Sequence, residues 1–507
     1  MRQRKEIQEV LRRQSAHLIA SAIIVFWLVM MALFVRREGL LPLLGASPRP
    51  LSRRILEPMD TWMGVYLPNG ARIGFVNTTS TPDIRDGEVG AVVTVTARLR
   101  VTLMALPTDV FIAGSAWFTQ VSGLSEFSFK VQSGDHFMRV VGTVDQGLLK
   151  LDIHTAGEVI PFEFPVPGEN LLLSGGMGTT TLNVPELEPG QEVLMDAFDP
   201  MTFMMGKARV KCIREETIEV MGRPVDTKLL TTSHSGITSR VWVTQDEEIV
   251  RVETPFGFTL RKVTAQEAFR PFGDHDSSIL LDAVALQPTG KRPFRGATRM
   301  SVRLSGTVPG HAPPTDNVQT ASGEVYTITA SHEPEAAAAA TPLPDDARRD
   351  ALKSDPFVQA DHARIVGLAQ DIIADETDPW RQAKRLYQWV FEKIRKEVVF
   401  SVPSALEVLE TGEGDCNEHT VLYTALARAA GLPTRIAIGL VWSNDLGGFY
   451  YHAWPEVHVG DWVRMDPTLG QVIADATHIK LLEGNIETWT QLIPYIGQLQ
   501  VEVLSIE

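Results

Sequence analysis

The stretch EGDCNEHTVLYTALARAAGLPTR, Glu413 to Arg435, decides how the C-terminal third of this chain is read. Val421, Leu422, Ala425, Leu426, Ala429 and Ala430 recur at helical spacing, and Gly431 with Pro433 beyond it stops the run. Asp415 and Glu418 have the spacing of a capping box, which makes Asp415 the cap and Cys416 the first helical residue. The thiol then lies at the positive end of the helix dipole, which favours a thiolate. The adjacent Asp415 works against it, so an imidazolium neighbour is expected to provide most of the pKa depression. A buried structural cysteine is the alternative reading.

Upstream, Ile365, Leu368, Ala369, Ile372 and Ile373 share one helical face. A second helix begins with Asp378 as cap and Pro379 at its first position, with Trp380, Ala383, Leu386, Tyr387 and Val390 on its apolar side. Ser404 and Glu407 make a capping box for a short third helix. Downstream, His452 opens a strand-like run with Trp454, Glu456 and His458 on the same parity, and Gly460-Asp461 is a turn signal before WVRMD. A strict two-residue turn there pairs Pro455 with Asp466 and puts the carboxylate on the face opposite His452. One extra looped or bulged residue instead sets Asp466 opposite Trp454, diagonal to His452, and that extra residue is predicted.

Three blocks stand in order: GEGDCNEHTVLYTALARAAGLPTR, then HAWPEVHVGDWVRMDPTLGQ from His452 to Gln471, then ADATHIKL from Ala474 to Leu481. Together they resemble the signature blocks of bacterial transglutaminase-like proteins, a branch of the papain-type thiol enzymes, over roughly Asp361 to Glu507. The resemblance implies a catalytic triad of Cys416 as nucleophile, His452 as base and Asp466 as orienter. It also implies an α+β catalytic domain and a thioester intermediate formed on a peptide or protein substrate. His419 is read as a packing residue, His458 as a strand-face residue, Glu418 as a cap, Trp454 as core and His478 as structural. No metal or cofactor is called for, because His and Cys do not cluster at ligand spacing and no acidic calcium loop is found.

The rest of the 507 residues bounds the setting. A composition of 44% hydrophobic and 21% charged residues suits two or three globular domains, and a net charge of -15 argues against nucleic acid as a partner. Cys212 and Cys416, the only cysteines, exclude a disulfide framework and are read as separate free thiols. From about Trp62 to Val263, period-two runs such as GAVVTVTARLRVTLMAL predict a mostly antiparallel sheet or open barrel, with Asp86-Gly87 and Ser133-Gly134 as hairpin turns. Residues 265–331 still read as strands, either a separate unit or the tail of the same sheet. The β-rich domain therefore covers 55–332, a linker 333–346 carries EPEAAAAATPLPDD, and the catalytic domain covers 347–507.

At the N-terminus, Leu18 to Val35 is an apolar run broken only by Ser21, about 27 Å long as a helix and close to the thickness of a bilayer. Arg2, Arg4, Lys5, Arg12 and Arg13 precede it, so 1–17 reads as a cytoplasmic basic tail and 18–35 as a transmembrane signal anchor in the inner membrane, with a cleaved signal peptide as the rival. The expected fold class is thus α+β: a transmembrane helix, a β-rich antiparallel domain and a transglutaminase-like α+β domain. The expected function is a membrane-anchored peptidase, amidase or acyl transferase outside the cytoplasm. The competing reading is a non-catalytic envelope scaffold with a relic triad.

Overall fold

The computed structural model describes residues 57–507 apart from 104–105, 120–122, 135, 156–157, 167–170, 174–186, 200–203, 235–236, 255–256, 272–284, 307–311, 335–342, 398–403, 485–491, 493–494 and 496–497. The expected anchor 18–35 and most of the expected linker lie outside the described residues. Among the described residues no helix is long and apolar enough to cross a membrane, so the expectation of a single-pass inner-membrane protein finds no support there.

The fold class is corrected. The structure is mostly β, with 54% strand against 16% helix, rather than α+β. The physical reason is the reach of the period-two patterns, which run as single strands of up to 17 residues at Met204–Val220. Leu149, Leu151 and Ile153 show the alternation plainly, each buried between exposed or half-exposed neighbours on strand Leu148–Thr155.

Fifteen strands form one sheet in the described residues. Met59–Tyr66 lies in its middle, antiparallel to Arg72–Arg85 on one side and to Thr259–Val263 on the other. Hairpins lead outward to Glu158–Pro165 at one edge and, on the other side, to Glu192–Asp199, against which Leu171–Leu173 pairs in parallel at the opposite edge. Asp86 and Gly87 take positive φ values of 50° and 83° in the tight turn joining Arg85 to Glu88, as the Asp-Gly signal predicts. The turn after Ser133 lies one residue beyond the expected pair, since Ser133 itself pairs with His136.

The sheet must curl. Only six residue steps separate Pro165 from Leu171, a reach of at most about 21 Å, whereas a flat sheet of this width would hold its edges on the order of 65 Å apart. Phe164 near one edge meets Phe198 near the other with ring centroids 6.0 Å apart. The enclosed side holds Val65, Val93, Val140, Val210 and Cys212, all buried.

A five-stranded sheet joins distant parts of the chain. Arg299–Ser305 pairs antiparallel with Val325–Thr329 on one side and with the C-terminal strand Gln500–Ile506 on the other. The strands that the sequence reading groups with the β-rich region are therefore hydrogen-bonded to the C-terminal strand. Beyond them lies a four-stranded sheet in the order Trp462–Arg464, Gly448–His458, Thr434–Ser443, Ile479–Glu483.

Against that sheet packs the buried helix Cys416–Ala429, surrounded by the helices Ala363–Ile373, Pro379–Lys393 and Ala405–Thr411. The second of these buries Trp380, Ala383, Leu386, Tyr387 and Val390, the five residues of its apolar stripe. Its Asp378 cap accepts from the Arg381 N–H at 2.8 Å.

Candidate active site

The Cys416 helix starts as its sequence dictates. The Asp415 carboxylate accepts from the Asn417 N–H at 2.9 Å, and Glu418 returns a carboxylate to the Asp415 N–H at 2.8 Å. Gly414 permits this closure, because a Cβ there would stand 2.1 Å from the Glu418 Cβ. Glu418 is buried, and that burial, with Asp415 beside it, holds its carboxyl well above the ordinary range.

The first turn of the helix touches the central strand at one residue. The Thr420 hydroxyl donates to the Ala453 carbonyl at 3.1 Å, and the Ala453 backbone comes close enough to the Cys416 sulfur to favour its thiolate. The thiol in turn faces the Asn417 Oδ1 at 3.6 Å. Cys416 therefore lies against the residue that follows His452.

The thiol is pushed up rather than down. Burial is the largest cause, Asp415 adds to it with Glu418 and Asp466 behind, and only the Ala453 backbone pulls the other way. This corrects the expectation of a depressed thiol. Desolvation and the very carboxylates that build the cap act against the thiolate.

His452 and Asp466 meet directly, Nε2 to Oδ2 at 2.8 Å, both buried. The hairpin register makes this possible. His458 pairs with Trp462, Val457 with Val463 and Glu456 with Arg464, so Val459, Gly460 and Asp461 all lie in the turn. The Met465 N–H donates to the Pro455 carbonyl at 3.0 Å and extends the ribbon, which sets Asp466 opposite Trp454 through the extra looped residue that the sequence requires. With Nε2 donating to the carboxylate, Nδ1 is the ring nitrogen left with a lone pair.

A second histidine shares the same oxygen. His478 Nε2 lies 3.0 Å from Asp466 Oδ2, and the Leu469 N–H donates to Oδ1 at 2.8 Å. Burial alone would raise the Asp466 carboxyl, but His452 and His478 overcome it and hold it well below the usual carboxylate range. Reading the sequence as structural at His478 missed this contact. The available signal was that the third block carries a histidine immediately before a buried strand.

The remaining candidates keep their modest roles. The His419 Nδ1 bonds the Asp415 carbonyl at 2.7 Å and not the thiol. His458 stands edge-on to Trp462 at the hairpin end. Trp454 is fully buried, stacked on His452 at 6.2 Å and edge-on to His478 at 5.1 Å. The Nε2 atoms of His452 and His478 and a carboxylate oxygen of Asp466 lie within 4.8 Å of one another. A ring nitrogen that donates its N–H to that carboxylate has no lone pair to offer an ion, so the hydrogen bonds and an ion are alternatives at this cluster.

Behind this cluster sits a charge network. Lys480, fully buried, contacts Glu456 at 2.9 Å, Glu483 at 2.6 Å and Asp316 at 2.5 Å. Arg435 reaches Glu456 and Glu483, each at 2.7 Å, and Arg464 reaches Asp316 at 3.4 Å. Three cations thus balance three carboxylates, and Asp316 comes from the segment before the helices that pack on the four-stranded sheet. Asp316, Glu456 and Glu483 also gather closely enough to surround an ion, but the three cations already occupy that role.

Residues 366–467 match the model of the transglutaminase-like superfamily. The chain carries a transglutaminase-like domain. The matched segment holds Cys416, His452 and Asp466, and ends within the second block, short of the third. No curated protein matches.

Among solved structures, a candidate cysteine protease of Cytophaga hutchinsonii is 13% identical, with 44% of this chain and 86% of that one covered at a TM-score of 0.27. A β-barrel-like domain of unknown function from Brucella abortus is 9% identical over 41% of this chain and 95% of that one, TM-score 0.28. A candidate protease of Parabacteroides distasonis is 11% identical over 70% and 69%, TM-score 0.20. None of these scores carries an argument of its own. What the family match shows is a transglutaminase-like domain over residues 366–467.

Proposed function

We propose that this protein is a thiol hydrolase or acyl transferase acting on peptide or amide carbonyls through Cys416, His452 and Asp466. The observation that carries the reading is the buried His452 to Asp466 hydrogen bond, 2.8 Å, one residue from the backbone that comes close to the Cys416 sulfur. A protonated thiol set against the residue that follows His452 suits general-base attack by that ring, with Nε2 held on Asp466 and the proton leaving as the carbon–sulfur bond forms. Nδ1 of His452 takes the thiol proton, the sulfur adds to the carbonyl, and the ring returns that proton to the departing amine. The Cys416 thioester is then resolved by water or by a second amine, whose proton passes to the same nitrogen.

Asp466 keeps the ring in the tautomer that leaves Nδ1 as acceptor and stabilises the imidazolium once it forms. The tetrahedral oxyanion needs a donor, and the N–H groups of a helix first turn lack intrahelical acceptors, so the Cys416 N–H is assigned that role.

p-Nitrophenyl acetate tests the reading without knowledge of the natural substrate. The wild type is expected to release nitrophenolate in a burst of about one equivalent and to carry the acetyl group on Cys416, with both lost in Cys416→Ala. A burst that survives in Cys416→Ala, or an acetyl group found elsewhere, contradicts the assignment.

A further inference from the structure

His478 is fully buried, and both of its ring nitrogens face acceptors. Nε2 meets the Asp466 carboxylate at 3.0 Å, while Nδ1 meets the Asp475 main-chain oxygen at 3.1 Å and its carboxylate at 3.4 Å. A neutral imidazole has one N–H, so it would leave one of these buried acceptors opposite a bare lone pair. Both contacts are hydrogen bonds only if the ring carries two protons.

Asp475 is itself firmly held. Its carboxylate accepts from the Gly296 N–H at 2.8 Å, the Thr477 N–H at 2.9 Å and the Gln471 amide at 2.6 Å, and Arg295 stands at 3.2 Å. Four alternating groups, His452, Asp466, His478 and Asp475, therefore run as one buried chain to the segment at Arg295 and Gly296.

We propose that His478 is a positioning residue of the active site, a doubly protonated ring clamped between Asp466 and Asp475 that fixes the carboxylate on which His452 rests. The role rests on the thiol-enzyme reading, because fixing Asp466 matters to chemistry only if His452 is the base. Without His478, Asp466 Oδ2 keeps a single partner and the carboxylate can rotate about its own bond, taking the His452 ring with it.

The charged surroundings are consistent with a cation. From the neighbouring elements, Asp466 and Asp475 face the ring directly, His452 meets it edge-on at 6.0 Å, and Arg464 donates to the His478 carbonyl at 3.0 Å from the hairpin strand. Burial works against the charge, yet Asp466 and Asp475 together raise the ring above the ordinary histidine range. Asp475, in turn, is held well below the usual carboxylate range once His478 and its other donors have overcome burial.

Nitrogen-15 histidine spectra of the full chain decide the matter, with the His452 and His478 signals assigned from His→Gln variants. In the wild type, both His478 nitrogens are expected to carry protons at pH 7.5, where an unperturbed imidazole is about nine-tenths neutral. In Asp475→Asn, which touches His478 but not His452, the His478 ring is expected to lose a proton and the His452 Nε2–H signal to move. Acetylation of Cys416 by p-nitrophenyl acetate is expected to slow between about tenfold and a hundredfold in the same variant and in His478→Gln.

A singly protonated His478 in the wild type overturns the proposal. So does a His452 signal left in place by Asp475→Asn. Should His478→Gln fail to fold, the wild-type spectrum and Asp475→Asn still decide. A wild type inert to the ester but with the coupled His452 signal overturns the proposed function instead, so the two failures are distinguishable.

Discussion

At the scale of single residues, the site is a set of buried charges whose balance depends on pH. Asp466, Asp475 and Asp316 are each held below the ordinary carboxylate range in the folded protein. Their contribution to stability is complete above about pH 4, where the unfolded carboxyls have ionised, and is lost as the pH falls. His478 acts in the opposite sense, because its folded value is raised. Its contribution is complete below about pH 6.5 and is lost as the pH rises through the folded value. Urea unfolding across pH 4 to 10 is expected to show a fall in stability on the alkaline side that is smaller in His478→Gln, and an alkaline limb unchanged by that substitution contradicts the doubly protonated ring. The meeting of His452 with Asp466 was legible in the sequence, because side-chain parity on the hairpin fixes when the two can share a face. The charge states were not legible. Whether Cys416 is pushed up or down depends on desolvation and on how near Glu418 and Asp466 come, and those distances exist only in the folded chain.

At the scale of elements, two local devices set the geometry: the capped start of the Cys416 helix and the three-residue turn at Val459 to Asp461. Both could be read in advance. Asp415 and Glu418 announce their reciprocal hydrogen bonds by spacing, and side-chain parity on the hairpin demands the extra looped residue if Asp466 is to share a face with His452. The helix start is sensitive to crowding. Gly414→Ala is expected to destabilise the protein by about 1–3 kcal/mol, since the added methyl must displace the Glu418 side chain or shift the helix. Asp415→Ala is expected to cost about 1 kcal/mol through the lost cap. Thermal unfolding measures both, and a Gly414→Ala protein as stable as wild type would mean the Glu418 closure is looser than described.

At the scale of the whole molecule, alternation predicted strands from Trp62 to Val263, but local pattern carries no record of which distant strands pair. Thus the curl of the fifteen-stranded sheet and the docking of Arg299–Ser305 onto Gln500–Ile506 could not be read from the sequence. That docking has a consequence for cutting the chain. A fragment 347–507 lacks the partner strand of Gln500–Ile506, lacks Asp316 beside the fully buried Lys480, and lacks Gly296 beneath Asp475. Removing one member of a buried ion pair costs about 3–5 kcal/mol, a large part of the stability of a domain of this size. The fragment is expected to give no cooperative thermal transition by circular dichroism, whereas a cooperative transition would mean that residues 289–329 are dispensable to the catalytic region.

The central claim is that His452 makes the Cys416 thiol reactive, and the most direct measurement is the rate at which iodoacetamide alkylates Cys416 at pH 7, followed by mass spectrometry of its peptide in wild type and His452→Ala. Because burial keeps the resting thiol protonated, the account predicts that losing the base slows alkylation on the order of a hundredfold while the protein stays folded. Equal rates in the two proteins would contradict it.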